Sequence, residues 1–145
     1  MKTLIKDGMI VTSEHEFKGD ILIEGTKIEA IGRDLRVEAD EVINAEGMYV
    51  LPGGVDQHAH FSFEFMGERT KGFETTNSAI IGGTTTVIEF VNQEQGKGLV
   101  ETVEDYNKEW VEGISMVDYS FHPVITNPSE ETLSLIHISE RAGKA

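Results

Sequence analysis

The stretch Leu51-Pro52-Gly53-Gly54-Val55-Asp56-Gln57-His58-Ala59-His60 decides how the chain reads. An apolar strand led in by Pro-Gly-Gly ends on two histidines one residue apart. Side chains alternate between the faces of a strand, which predicts Asp56, His58 and His60 on one face and Val55, Gln57 and Ala59 on the other. At about 3.3 Å of rise per residue the two histidine backbones stand roughly 6.5 Å apart. Both imidazoles can then lean onto one ion with bonds of about 2.0–2.1 Å. An isolated His-x-His is usually incidental. At the C-terminal end of a parallel strand, however, it lies on the edge where such sheets bind ligands. Asp56 on the same face would orient a ligand through a hydrogen bond, the plainer alternative being a strand-end bond.

Working outward, residues 1–50 read as short strands separated by turn signals, with no stretch long enough for a helix. Strands are expected at 3–7 and 9–11 around Gly8, at 20–24 and 27–31 around Gly25-Thr26, and at 41–44 and 48–51 around Gly47. From residue 51 onward, apolar strands alternate with helical patterns. Residues 73–81 have helical spacing and stop at Gly82-Gly83, residues 84–91 are rich in β-branched side chains, and residues 99–111 are again helical. A strand follows at 116–125, then a helix capped by Ser129. The order β-α-β-α-β-α implies a parallel sheet, which a doubly wound sheet and an opening (β/α)₈ barrel share.

Composition removes several classes of function. The chain has 26 Asp and Glu against 12 Lys and Arg, a net charge of −14. Such a chain repels nucleic acid, whose binding depends on cations that neutralise phosphates, and anionic membrane surfaces for the same reason. With no cysteine there is no disulfide framework, thiolate zinc site or thiol nucleophile. The N-terminal residues lack a signal-peptide apolar core of about 7–15 residues, and nothing approaches the roughly 20 residues of a membrane span. A cytoplasmic protein is the default expectation.

At residues 52–60 the chain resembles the first barrel strand of the amidohydrolase superfamily, which opens with Pro-Gly and Asp-x-His-x-His. Lys6-Asp7-Gly8 is similar to the start of the N-terminal sandwich of cyclic amide hydrolases. Gly82-Gly83-Thr84-Thr85-Thr86-Val87 resembles their lead-in to strand two, and Asp118-Tyr119-Ser120-Phe121-His122 resembles strand three of dihydropyrimidinases and D-hydantoinases. The resemblance spans about residues 3–133 and points to that subgroup. Where dihydroorotases carry an Arg that reads a substrate carboxylate, this chain has Ser62. Phe65-Met66-Gly67 looks like the dihydropyrimidinase loop, although Lys71-Gly72 departs from the acidic residues usual there.

The resemblance implies an α/β fold: a small β-sandwich portion over residues 1–50, then the first three β/α units of an incomplete TIM-type (β/α)₈ barrel over residues 51–145. It also implies hydrolysis of a cyclic amide C–N bond by a metal-bound hydroxide. The cofactor would be two divalent ions, usually zinc, bridged by a carbamylated lysine. His58 and His60 are the family ligands that map here; the lysine, the later histidines and the Asp base have no counterpart, so no catalytic residue is assigned. The chain is therefore expected to be an N-terminal fragment, inactive alone, of an enzyme for small cyclic amides whose parent forms a homotetramer. Residues 134–145 are expected to be foreign, similar to a sequencing-adapter read-through, with an ordinary helix end as the competing reading. Phe63, Phe65 and Met66 are candidates for the substrate mouth or, equally, for core packing. His122 is expected to be structural, and His15 and His137 nonfunctional. Competing readings are an allantoinase-like enzyme, a non-catalytic dihydropyrimidinase-related protein, and an unrelated βαβ binding module.

Overall fold

A computed structural model describes residues 1–62, 64–70, 72–130 and 132–135. The fold is α/β with mixed sheets, in two compact units, Met1–Pro52 and Gly53–Ala145. Phe63, Lys71 and the tail from Ile136, with His137, lie outside the described residues.

The first unit is built on β1 (Lys2–Val11), β2 (Glu16–Glu24), β3 (Lys27–Gly32), β4 (Glu41–Asn44) and β5 (Tyr49–Val50). They form one sheet in the order β3-β2-β1-β4, with β5 also on β1. The β1–β2 and β2–β3 pairs are antiparallel, whereas β4 and β5 run parallel to β1. Gly8 does not divide two strands as the turn signal suggested. The register shifts between Ile5 and Gly8, and Asp7 sits there at φ 61°. A bulge thus absorbs the irregularity without ending β1. The buried Asp20 holds this region in place: Oδ1 accepts the Asp7 N–H (2.8 Å) and Oδ2 accepts the Leu35 N–H (2.8 Å). Those N–H groups hold the Asp20 carboxyl below the usual carboxylate range, Asp7 contributing most and burial opposing.

The second unit opens with β6 (Gly54–Ala59), a small antiparallel hairpin of β7 (Glu64–Phe65) and β8 (Glu68–Arg69), and a 3₁₀ turn at Phe73–Thr75. Then come α1 (Thr76–Ile81), β9 (Thr84–Asn92), α2 (Leu99–Trp110) and β10 (Asp118–Val124). The three long strands form a parallel sheet with β9 in the middle, in the order β10-β9-β6. Alternation along β9 sorts its two faces. Val87, Glu89 and Val91 are buried, whereas Thr86, Ile88 and Phe90 are half-buried. The valines join Ala59, Phe73, Tyr106, Val111 and Val117 in one apolar cluster. Buried Thr76 ties α1 to the lead-in of β10, its hydroxyl donating to the Phe73 carbonyl (2.7 Å) and accepting the Met116 N–H (3.0 Å). Ser129 caps the helical residues that follow, Oγ accepting the Thr132 N–H (3.2 Å).

Candidate functional site

The glycines ahead of the histidines have a steric cause. A side chain at Gly53 would collide with Thr85, and Gly54 donates its N–H to the Gly83 carbonyl (2.8 Å). The Pro-Gly-Gly lead-in thus lets β6 settle against the start of β9. From there β6 delivers His58 inside the strand and His60 just past its last residue, one position beyond where the strand ends.

Between Asp56 and Ala59 the β6–β9 register is irregular: Asp56 pairs with Val87 and Ala59 with Glu89, so three steps on β6 face two on β9. Strict alternation therefore fails, and the expectation that Asp56 shares the histidine face is corrected. Asp56 is paired on the Val87 side, and its Oδ1 accepts the backbone N–H of His58 (3.0 Å). The bond fixes the main chain of His58; the imidazole is not its donor.

The two imidazoles lie close together. Their centroids are 5.1 Å apart with an interplanar angle of 75°, below the roughly 6 Å at which two rings can still share one ion with bonds of about 2.0–2.1 Å. Phe90, from the central strand, lies against both, at 4.5 Å from His58 and 5.3 Å from His60. On its other side Phe90 meets His122 at 5.1 Å, because β10 pairs His122 with Phe90. Sequence reasoning set His122 aside as structural, and the sheet places it one ring away from the pair. Among the described residues no group of three or more His, Asp or Glu is arranged to hold a metal ion.

A cleft of about 480 Å³ opens beside His60, lined among others by Ser62, Glu89, Phe90, Asn92 and Tyr106. Glu89 is the residue that sequence reasoning missed. It is 1% exposed, and its carboxylate accepts the N–H groups of Phe61 and of Phe90 (2.9 Å for the latter). Its Oε1 lies 3.9 Å from His60 Nδ1. Burial pushes the carboxyl above its ordinary range, opposed by the N–H groups of Phe61, Phe90 and Ser62 and by His60. A charged residue in phase with two core valines was the available signal. Ser62 Oγ, also in the cleft wall, is buried without a hydrogen-bond partner among the described residues. Met66 sits at φ 55° in the turn between β7 and β8 and is 88% exposed. Phe65 contributes backbone pairing to that hairpin. Lys97 is engaged by Glu94 (3.0 Å) and Asp105 (2.9 Å).

Known proteins are similar to this chain in sequence and in fold. The chain is 41% identical over 135 residues to a D-hydantoinase of Geobacillus stearothermophilus, and 34% identical over 132 residues to a dihydropyrimidinase of Rattus norvegicus. These matches cover 92% and 86% of the chain. The crystal structure of dihydropyrimidinase from Brevibacillus agri superposes with a TM-score of 0.87 at 34% identity, over 99% of the chain. The chain is a homologue of D-hydantoinases and dihydropyrimidinases. It spans 28%, 25% and 32% of the length of these three relatives. No family model matches it. Among the described residues no helix is long and apolar enough to cross a membrane.

Proposed function

We propose that this chain carries the opening metal ligands, His58 and His60, of a metal-dependent cyclic amidohydrolase that opens hydantoin or dihydropyrimidine rings. The proximity of the two imidazoles at the end of a parallel strand carries the reading, and homology to hydantoinases and dihydropyrimidinases supports it. In this reading the unit Gly53–Ala145 is the first three β/α units of a TIM-type barrel, and Met1–Pro52 is part of a β-sandwich.

Two neutral imidazoles suit a borderline ion such as zinc. A divalent ion held there would lower the pKa of a water and polarise the amide carbonyl. The chain's own residues do the positioning. Asp56 fixes the backbone of His58, Phe90 braces both rings, and the cleft beside His60 receives the ring substrate. Ser62, in place of a carboxylate-reading Arg, favours an uncharged cyclic amide. The whole enzyme would be a cytoplasmic homotetramer with two ions.

Two ligands make half a site. Complete structural zinc sites are worth about 10–16 kcal/mol, so half of one binds no tighter than about micromolar. Calorimetric titration of the 145-residue chain with zinc or cobalt should give binding of that strength or weaker, lost in His58→Ala/His60→Ala. No binding by the wild type, or binding that the double variant retains, would sink the proposal. With dihydrouracil or hydantoin and added zinc, turnover should not exceed that of the double variant, and clear excess turnover would show that the chain needs no further ligands.

A further inference from the structure

The central strand buries a carboxylate where its neighbours in phase are valines. A third apolar residue would pack there without desolvating a charge, so the position of Glu89 calls for a use of its oxygens. Two are visible in its bonds. The carboxylate takes the N–H of Phe61, the residue directly after His60, and that of Phe90, the ring that braces both imidazoles. Its Oε1 also faces His60 Nδ1 at 3.9 Å. His60 is half exposed, its side chain at 54%, so water could satisfy either ring nitrogen and solvent alone would leave the tautomer open. The carboxylate oxygen, 3.9 Å from Nδ1, is beyond hydrogen-bond distance, but its charge favours the proton on the nearer nitrogen and leaves the lone pair on the other. Metal-binding histidines usually use such a partner to fix ring orientation and tautomer.

We infer that Glu89 is a positioning residue, which holds His60 with Nδ1–H turned toward its carboxylate and Nε2 free as the donor to a divalent cation. The inference rests on the reading of His58 and His60 as metal ligands, yet half of it can be tested with no metal present.

The experiment uses the metal-free 145-residue chain at about pH 8, where a free imidazole is neutral. Long-range ¹H–¹⁵N correlation assigns the His60 tautomer in the wild type and in Glu89→Gln, and the amide spectrum of each reports folding. Cobalt affinity is then measured for both, and for His58→Ala/His60→Ala. Expected are Nδ1–H in the wild type, loss of that preference in Glu89→Gln, and cobalt binding weakened about 10- to 100-fold. An Nε2–H wild type overturns the inference, whether or not Glu89→Gln folds. So does a folded Glu89→Gln with unchanged tautomer and unchanged affinity, while the metal reading survives if the double variant loses cobalt. Conversely, a wild type that binds no cobalt but keeps an Nδ1–H set by Glu89 supports the placement of Glu89 and defeats the metal reading.

Discussion

Each unit buries one carboxylate, Asp20 in the first and Glu89 in the second, and the two part ways. Both accept backbone N–H groups. Asp20 secures a bulge and a loop with both oxygens, and those bonds outweigh burial, leaving its carboxyl below the ordinary range. At Glu89 burial outweighs the bonds, the carboxyl is raised, and an imidazole stands beside it. A buried acid spent wholly on its own backbone is a clasp. Glu89 also gives each oxygen a backbone N–H, but the one that accepts from Phe90 lies 3.9 Å from the imidazole of His60 as well.

Removing either acid should give the largest effects. Asp20→Ala and Glu89→Ala each strand two N–H donors, and about 3 kcal/mol of stability should be lost in each case, read by urea denaturation. Equal losses with cobalt binding weakened by Glu89→Ala alone would sharpen the contrast, and weakened binding in both would break it.

Asp20→Asn should cost less, about 1–2 kcal/mol, since one acceptor remains. It also carries a pH signature. The folded carboxyl titrates below its ordinary 3.8, so its stabilisation is complete above about pH 4 and disappears as pH falls through the folded value. Denaturation midpoints measured from about pH 3 to about pH 6 should therefore fall more steeply for the wild type than for the variant. Parallel curves would remove the clasp from the account of the first unit.

Smaller still, Ser129→Ala removes a helix cap and should cost about 1 kcal/mol. Lys97→Met should leave the denaturation midpoint unchanged, because exposed ion pairs of this kind contribute little. A marked drop in the latter would reveal a rigid β9–α2 loop.

Much of this was legible in the sequence because it is local. Gly25-Thr26 marks the β2–β3 turn, Gly82-Gly83 ends α1, and Ser129 announces its cap within three residues. That the histidines fall at a strand end could be read from the apolar run and its Pro-Gly-Gly lead-in. What escaped depends on register between distant segments. One extra residue in β6 moved Asp56 off the histidine side, and no pattern within residues 51–60 records it. Glu89 and the backbone it holds at Phe61 are 28 positions apart. His122 reaches the aromatic group because of which strands are neighbours, a property of sheet order that periodicity does not contain.

The hydroxyl of the fully buried Thr76 joins the 3₁₀ turn at Phe73 to Met116, which lies 40 positions beyond Thr76. Opening the first turn of that helix must therefore expose the peptide group ahead of the last strand as well. Deuterium should enter the Met116 amide only when both segments release together, so that helix and strand exchange as one cooperative block.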